Sequence, residues 1–522
     1  MTSIGDNAFY NCLNLTSAII ANDDTNRGVT KASDVSENSR TTIGTSAFAY
    51  CQNLTSVTIG SGVASIGERA FAGCNNLVSV TLNSDSVVSA SRTSSTSMNT
   101  IFGEQVKTYI IGDSVNSIGD YAFYHCTGLT SIIISDSVKS IGNYAFRDCS
   151  SLTSIINGNG VTSIGSDAFK GAAWYDNQPD GLIYIGKVAY MYKGEMAPNT
   201  HITIKDGTTE IASNAFNGYD ALSSIDIPNS VIKIGEYAFS GCDSLSTITI
   251  PNSLTTIEKY AFRKCTGLTS LNLGNGVKSI GENAFYGCTN LISVSGGDNI
   301  TNIERRAFDN TAWYNNLPDG LNYLGKVAYK YKGTMPSETQ IIIREGTLGI
   351  AAYAFDACSG MTSVVMPSSM IFIGIRAFSR CTNLLDVYCY AANVPEVANV
   401  RSSIDDPFYK VPTSSATLHV PAASLDTYST TSSWSGFGSI VPITDEDAIS
   451  EIKALPVAIQ SQGGCILVTG ISDGSQITVC DISGKFLGTA VAAQGSATIR
   501  TNLPAGSIVI VNTGGKTFKA KI

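Results

Sequence analysis

The sequence has few charged residues and no concentration of charge of one sign. Charged side chains make up 14% of its 522 residues, and 33 basic against 42 acidic residues leave a net charge of −9. Nucleic-acid-binding chains normally present a clustered basic surface, and no Lys/Arg cluster rises above this acidic background. The composition therefore predicts no nucleic-acid partner. With 43% hydrophobic residues, it also excludes a disordered chain.

Long apolar runs and targeting signals are also absent. No run approaches the roughly 20 residues that span a bilayer, so we expect no transmembrane segment in this chain. No secretory signal peptide opens it. The first residues, Met1-Thr2-Ser3-Ile4-Gly5, already match the middle of a repeat. We therefore expect the native protein to extend beyond this N-terminus.

Residue types that perform catalysis or bind metals are scarce or unfavourably spaced. The three histidines, His125, His201 and His419, lie at different repeat positions with no recurring Ser or Asp partner, so no Ser–His–Asp arrangement is expected. The 13 cysteines include no Cys-x-x-Cys pair, and ten follow a marker phenylalanine by three residues. That spacing favours buried packing over zinc binding. The sequence thus predicts no catalytic residue, no metal site and no cofactor.

What the sequence does contain is an internal repeat. The dipeptide Ala-Phe recurs thirteen times, and eight of the twelve intervals between its phenylalanines are 23 residues. Phe102, Tyr190 and Tyr329 mark degenerate coils inside the three longest intervals, which brings the prediction to about 16 coils. The marker phenylalanines are Phe9, Phe48, Phe71, Phe123, Phe146, Phe169, Phe216, Phe239, Phe262, Phe285, Phe308, Phe355 and Phe378.

One complete repeat unit occupies residues 245–265. Its L-x-x-L-x-L signature directs Ile248 and Ile250 to one face of a strand and Thr247 and Thr249 to the other. The Ala-Phe-x-x-Cys segment that follows is interpreted as one helical or 3-10 turn, with Phe as the large core side chain. A single coil cannot bury these residues, whereas stacked coils share a continuous core. The predicted fold class is an α/β repeat solenoid, mostly β.

The recurring phrase "LTSVTI…V.SIG..AF..C" resembles the BspA-like, Treponema-type leucine-rich repeats of bacterial surface proteins. The resemblance covers about residues 1–385. It implies a leucine-rich-repeat array in a secreted or cell-surface protein, a non-enzymatic role in adhesion or interaction, and a protein or glycan as partner. We further expect a monomer.

A near-duplicate interrupts the regular pattern. The segment from Trp174 to Tyr190 recurs from Trp313 to Tyr329, 139 residues later (313 − 174), which indicates duplication of a six-coil block. Both copies predict a β-hairpin turning at Gly-Lys, in insertions near 174–194 and 313–333. Their aromatic side chains either contact a ligand or form the hairpin's own small core, and we favour the core. These aromatic candidates are Trp174, Tyr175, Tyr184, Trp313, Tyr314 and Tyr323.

The strand face that points away from the core offers a second candidate binding surface. Its outward positions are mostly Ser and Thr, and repeat arrays of this kind usually bind ligands on their concave sheet. Such a hydroxyl row suits hydrogen bonding to a glycan or a protein. The more ordinary alternative is that small polar residues keep an exposed sheet soluble. The candidate residues at the centre of this face are Ser224, Asp226, Thr247, Thr249, Ser270 and Asn272.

The repeat fades near residue 385 and divides the chain into three parts. Residues 1–385 are the solenoid, 386–450 are its C-terminal cap and a linker, and 451–522 are a small β-sandwich. The last part resembles the C-terminal sorting domains of secreted Bacteroidetes-type proteins. Within the solenoid, the polar stretches 21–40 and 84–100 are predicted to be loops.

These observations lead to one principal functional hypothesis and two alternatives. The principal hypothesis is an exported bacterial surface protein that binds host or microbial macromolecules through its repeats. The first alternative is a structural spacer or surface-coat protein without a specific ligand. The second is the non-catalytic part of a truncated enzyme.

Overall fold

The chain folds into stacked coils, as seen in a computed structural model that describes residues 3–20, 40–397, 402–444 and the strands between 458 and 521. The coils form a mostly β solenoid of about 17 turns of roughly 23 residues, which confirms the predicted solenoid. A typical coil contributes one strand to each of two sides, and neighbouring strands on a side run parallel. We name these sides the long-strand sheet and the short-strand sheet.

The long-strand sheet contains the L-x-x-L-x-L strands. It is divided into four sections because the ladder breaks at both hairpins and again between residues 226 and 247. Its strands are Ser17–Ile20, Ser56–Ile59, Ser79–Leu82, Thr108–Ile111, Ser131–Ile134 and Ser154–Asn157; Thr200–Thr203 and Leu222–Asp226; Thr247–Thr249, Ser270–Leu273 and Ser293–Gly296; and Thr339–Ile342, Met361–Met366, Asp386–Cys389, Thr417–Val420 and Ser439–Pro442. The last section therefore continues the parallel ladder through residues 386–442.

The short-strand sheet consists mostly of two-residue strands at the Ser-Ile phrase. Its first two sections are Ser3–Ile4, Thr41–Ile43 and Val63–Ile66, then Ser117–Ile118, Ser140–Ile141 and Ser163–Ile164. The other two begin with a hairpin and are Gly181–Ile185, Val188–Lys193, Glu210–Ile211, Lys233–Ile234, Thr256–Ile257, Ser279–Ile280 and Asn302–Ile303, then Gly320–Leu324, Val327–Lys332, Gly349–Ile350, Phe372–Ile373 and Glu396–Val397.

In the Ala-Phe-x-x-Cys segment, the prediction of a helical or 3-10 turn is correct only in part: the N–H of Cys265 donates to the carbonyl of Phe262 at 3.2 Å, which closes a turn of the 3-10 type, but no helix forms. Around Phe262, both Tyr260 and Lys264 adopt left-handed backbone conformations, with φ of 60° each. The N–H of Phe262 donates to the carbonyl of Ala284 at 2.8 Å, in the next coil. Alternate N–H groups of the segment therefore donate hydrogen bonds to the next coil. In a helix, the same N–H groups would donate to carbonyls of their own segment.

The marker phenylalanines form stacks inside the solenoid, and these stacks are interrupted where Tyr109, Tyr190 and Tyr329 pack edge-on to the neighbouring rings. The ring centroids of Phe239 and Phe262 are 5.0 Å apart, and those of Phe262 and Phe285 are 5.1 Å apart, with interplanar angles of 7° and 2°. This spacing is close to the ~4.8 Å between paired strands. Because one ring per coil repeats at the strand spacing, a phenylalanine inside a stack is buried between its two neighbours, whereas Phe9 in the first coil is exposed.

Most of the cysteines that follow a marker phenylalanine are buried hydrogen-bond donors. The thiol of Cys265 donates to the carbonyl of Phe239 in the preceding coil at 3.0 Å, and six other cysteines repeat this contact. Burial raises the pKa of Cys74 to about 11 and that of Cys242 to about 12, so these thiols stay protonated near neutral pH. A protonated thiol with a carbonyl partner is a packing group.

Thiol labelling tests this arrangement directly. Ten of the 13 cysteines are buried, and Cys12, Cys465 and Cys480 are half-exposed. We expect a thiol reagent at pH 7.5 to label no more than these three in the folded protein and all 13 after denaturation, because a buried protonated thiol is a poor nucleophile. Peptide mapping would identify the labelled sites. Rapid labelling of a marker-position cysteine such as Cys265 would contradict the packing role.

Within the part of the chain that the structure describes, helices are few and short. They are Asp85–Val88, Met98–Phe102, Ala173–Asp176, Ala312–Asn315 and Leu425–Thr430, with 3-10 turns at Ser403–Asp405, Thr413–Ser415 and Ala422–Ser424. The first two lie in the stretch 84–100 that was predicted to be a loop, and this prediction is wrong in part. The stretch is polar in overall composition, but three of its apolar side chains are buried in the core: Val87, Val88 and Met98. The other predicted loop, 21–40, falls almost wholly outside the described residues.

The C-terminal segment has antiparallel strands. One sheet contains Ala458–Gln462, Cys465–Thr469 and Ser496–Arg500, and the other contains Gln476–Asp481, Phe486–Val491, Ile508–Thr513 and Lys516–Lys521. Ile466, Val468, Ile477 and Val479 are among its buried side chains. A separate sandwich domain at 451–522 and its role in sorting stay predictions, as do the boundaries of the other two parts.

Candidate functional site

The six candidate residues of the strand face lie on three successive long strands. Thr247 and Thr249 on one strand are paired in register with Ser270 and Asn272 on the next. Inward neighbours such as Ile248 and Leu271 are buried in the core, because side chains alternate along a strand. Thr247, Thr249 and Asn272 are exposed and Ser270 is half-exposed. These four residues form one continuous polar patch.

Ser224 and Asp226 lie on the preceding strand, Leu222–Asp226, and form a different group. The ladder is interrupted between this strand and Thr247–Thr249, so the two residues pair instead with the strand Thr200–Thr203. There, His201 Nδ1 lies 2.7 Å from Ser224 Oγ, and His201 Nε2 lies 3.1 Å from a carboxylate oxygen of Asp226. The structure therefore divides the six predicted residues into two neighbouring groups.

The expectation that no histidine meets a Ser and an Asp partner is wrong for His201. Subtracting one 23-residue period from 224 gives 201, so the sequence contained the signal: His201 occupies the outward position of the preceding coil. The group is open to water, since the side chains of His201 and Asp226 are 49% and 70% exposed. Water competes for each of these hydrogen bonds, whereas a nucleophilic site depends on an enclosed and preorganised environment. The group is better suited to surface recognition.

The aromatic residues of the first hairpin serve mainly as packing groups. Trp174 is buried, and its ring centroid lies 5.3 Å from that of Phe169. Tyr175 packs edge-on to Tyr190, the residue that replaces a marker phenylalanine. The hydroxyl of Tyr184 accepts a hydrogen bond from the N–H of Lys205 at 3.2 Å.

The second hairpin repeats these contacts with its own residues. The ring centroid of Trp313 is 5.0 Å from that of Phe308, and Tyr314 packs edge-on to Tyr329. The guanidinium of Arg344 lies 4.0 Å from the ring centroid of Tyr323, whose hydroxyl accepts from the Arg344 N–H. The six aromatic candidates thus anchor the hairpins to the solenoid, although their rings remain partly accessible except that of Trp174.

Neither hairpin is an insertion added to a complete coil. Val188–Lys193 pairs in parallel with Glu210–Ile211, and Val327–Lys332 pairs in parallel with Gly349–Ile350, so the second strand of each hairpin is a regular short-strand element. The first strand of each hairpin runs antiparallel to it. Each hairpin therefore replaces the long strand of its coil, which explains the two interruptions of the long-strand sheet.

The described residues contain no group of three His, Cys, Asp or Glu side chains arranged to hold a metal ion. In the same part of the chain, no helix is long and apolar enough to cross a membrane.

The fold and these surfaces define a leucine-rich-repeat solenoid with exposed faces. A family model described as "BspA type Leucine rich repeat region" matches residues 2–101, 87–193, 183–315 and 322–397, with six copies. The chain belongs to this family. No curated protein sequence matches it.

Several solved structures resemble this chain. A leucine-rich repeat protein from Bacteroides ovatus is 21% identical, covers 83% of this chain and 93% of its own, and has a TM-score of 0.25. A leucine rich cell surface protein from Faecalibacterium prausnitzii is 23% identical over 68% and 90%, with a TM-score of 0.21. The pneumococcal vaccine antigen PcpA is 15% identical over 85% of both chains, with a TM-score of 0.24.

Proposed function

We propose that this chain is a non-enzymatic bacterial surface or secreted protein that binds a protein or glycan through the outward face of its long-strand sheet. The observation on which this rests is the patch of Thr247, Thr249, Ser270 and Asn272. These side chains lie in register on adjacent strands and face solvent, while their inward neighbours complete the core. Membership in the BspA type family supports a surface location and an interaction role.

The chemistry of the patch favours a ligand rich in hydrogen-bonding groups. Hydroxyls both donate and accept, and the Asn272 amide does the same with its two ends. Beside them, the ring nitrogens of His201 and the carboxylate of Asp226 add further hydrogen-bonding groups. A glycan or a polar protein surface can form hydrogen bonds with these groups. An apolar ligand would remove them from water and leave their donors and acceptors unpaired.

The proposal is tested by binding to a panel of extracellular-matrix proteins and glycans. The test variant is Thr249→Arg with Asn272→Arg, which places two long charged side chains in the patch. Its matched control is Thr255→Arg with Asn275→Arg, which makes the same residue changes at exposed positions of the same two coils but on another side. We expect the patch variant to weaken a saturable interaction at least tenfold, equivalent to about 1.4 kcal/mol, and the control to bind as the parent does.

Other results would redirect the assignment. If both variants bind equally well, the sheet is not the binding face, and the partly exposed hairpin rings Tyr175, Tyr184, Trp313 and Tyr323 become the next residues to change. If the parent binds nothing on the panel, the structural-spacer function takes precedence. Hydrolysis of a panel component, abolished by His201→Ala, would contradict the non-enzymatic assignment.

A further inference from the structure

A cleft lies beside the second hairpin and does not overlap the strand-face patch. Its volume is about 370 Å³, which is within the ~300–1,000 Å³ typical of small-ligand pockets. Five basic side chains line it, together with three acidic ones and the rings of Tyr314, Tyr329 and Tyr353. We name it the basic cleft, and its basic residues are Arg305, Arg306, Lys330, Arg376 and Arg380. An excess of positive charge is unusual in a chain whose net charge is −9.

Part of this basic set is already used within the protein. Arg380 forms an ion pair with Asp356, and Arg305 Nε lies 3.6 Å from a carboxylate oxygen of Glu282. The Arg376 guanidinium lies 4.8 Å from the ring centroid of Tyr409. These three side chains have evident structural partners.

Two basic side chains of the cleft form no ion pair, although the carboxyl of Asp309 lies near both. Across the described residues, no carboxylate oxygen lies within 4.0 Å of Arg306 or of the Lys330 ammonium. Lys330 is half-buried, and its Nζ donates one hydrogen bond, to the carbonyl of Tyr353 at 2.7 Å. An ammonium has three donors, so two remain for another partner. Burial lowers the pKa of Lys330, because its ammonium is partly desolvated. A bound anion would stabilise this charge.

The duplicated block provides an internal comparison for these charges. Subtracting 139 places Arg306 at Asp167 and Lys330 at Met191, and the backbone is the same at the first pair, with φ of 55° and 54°. The other three basic positions correspond to Ser166, Tyr237 and Gly241. The first hairpin therefore forms the same supporting structure with none of the five basic residues. The backbone of such a hairpin is thus compatible with other residues at these five positions.

The acceptors of the cleft narrow the class of ligand. Asp309 is half-buried, and burial raises the pKa of its carboxyl, while Lys330, Arg306 and Arg305 act to lower it. A carboxylate in this position accepts hydrogen bonds from hydroxyl groups. An acidic peptide would bring a second carboxylate toward Asp309 and few donors. A sugar acid brings an anionic group for the cations and several hydroxyls for the acceptor.

We propose that the basic cleft binds an acidic sugar unit, with its carboxylate at Arg306 and Lys330 and its hydroxyls toward Asp309. This site goes beyond the proposed function of the long-strand sheet and does not rest on it. Arg306 lies in the coil before the second hairpin and Lys330 lies on the second strand of the hairpin, Val327–Lys332, so recognition depends on how the hairpin packs against that coil. The cleft takes one sugar residue, such as the end or a side branch of a glycan.

The test measures binding of the full chain to a tetrasaccharide of alternating glucuronate and N-acetylglucosamine by calorimetry, at millimolar concentrations. The variant Arg306→Asp with Lys330→Met installs the residues of the first block, so the backbone already accommodates them. Its matched control, Arg69→Asp with Lys187→Met, makes the same charge change at exposed positions, and Arg69 has the same left-handed backbone, with φ of 55°. Thermal unfolding of both variants verifies that they fold.

We expect saturable binding that the cleft variant weakens at least tenfold and the control leaves unchanged, with no binding of the neutral N-acetylglucosamine tetramer. Unchanged binding in the cleft variant would overturn the proposal, as would no binding by the parent chain. Equal affinity for a hexaglutamate peptide would show that the cleft prefers acidic protein segments, and equal competition by inorganic sulfate would show unspecific anion binding; either result rejects the sugar. None of these outcomes changes the result of the Thr249 and Asn272 experiment.

Discussion

Replacing Phe262 by alanine is expected to lower the free energy of unfolding of the repeat array by about 3–5 kcal/mol, the usual cost of removing a fully buried phenylalanine. Phe262 is buried completely, and its ring lies between those of Phe239 and Phe285 at about 5 Å on each side. The lost ring leaves a cavity that faces two coils. Neither Phe239 nor Phe285 can move into this cavity, because the backbone N–H of each is hydrogen-bonded to the following coil.

Urea denaturation followed by circular dichroism measures the change. The control is Thr249→Ala in the same unit, an exposed position where we expect less than about 0.5 kcal/mol. Hydrogen exchange should locate the damage in the coils of residues 239–308, since each coil contacts mainly its neighbours. A loss below about 1 kcal/mol for Phe262→Ala would mean that the stack contributes little to stability.

The solenoid could be predicted because its determinants are local and repeated. One Ala-Phe per 23 residues specifies the ring stack, and the L-x-x-L-x-L phrase specifies which strand residues face inward. Tyr190 and Tyr329 were identified as replacements for the marker phenylalanine by counting alone. In the structure they pack edge-on to Phe169 and Phe308 instead of stacking. The spacing predicts the position of such a residue, while its orientation depends on the hairpin beside it.

Features that depend on contacts between coils could not be predicted in the same way. The left-handed residues Tyr260 and Lys264 arise because alternate N–H groups bond to the next coil, and nothing in the local sequence indicates that partner. The stretch 84–100 was predicted to be a loop because its apolar residues are few. Three of them, Val87, Val88 and Met98, are nevertheless buried against neighbouring coils.

The two proposed binding surfaces differ in how far the sequence reveals them. The outward strand positions follow from alternation, and His201 was accessible by subtracting one period from Ser224. The basic cleft draws residues from coils separated by up to 75 positions, from Arg305 to Arg380, and each residue is ordinary in its own repeat. Only a comparison of the two blocks at an offset of 139 would have marked Arg306 and Lys330 as departures.

Removal of the Trp434 side chain is expected to have an effect as large as that of Phe262→Ala, about 3–5 kcal/mol, but at one end of the array. Trp434 is completely buried and packs edge-on to Phe408 and Tyr428, with ring centroids 5.5 Å and 5.2 Å away. Phe408 in turn stacks on Phe378 and continues the ladder of rings. Trp434 therefore closes the stack where the final strand pairs of the long-strand sheet, residues 417–442, are formed.

A second substitution separates the packing of Trp434 from its polar group. Its indole Nε1 is buried and has no acceptor among the described residues, and a buried unpaired donor costs about 1–3 kcal/mol. Trp434→Phe removes that donor and keeps most of the ring, so we expect a loss of less than about 1.5 kcal/mol. Urea denaturation compares both variants with the parent. If Trp434→Phe destabilises as much as Trp434→Ala, the indole nitrogen has a partner, and the end of the array is held by a hydrogen bond as well as by packing.

The distribution of the damage distinguishes an end coil from a central one. In an array of coils that contact only their neighbours, loss of an end interface frees the terminal coils without opening the rest. Hydrogen exchange in Trp434→Ala should therefore increase in residues 386–442 and stay unchanged around Phe262. An increase throughout the solenoid would instead show that the array unfolds as one unit, and that residues 386–442 stabilise distant coils. In that case the strand-face patch and the basic cleft would both depend on this end of the chain for their geometry.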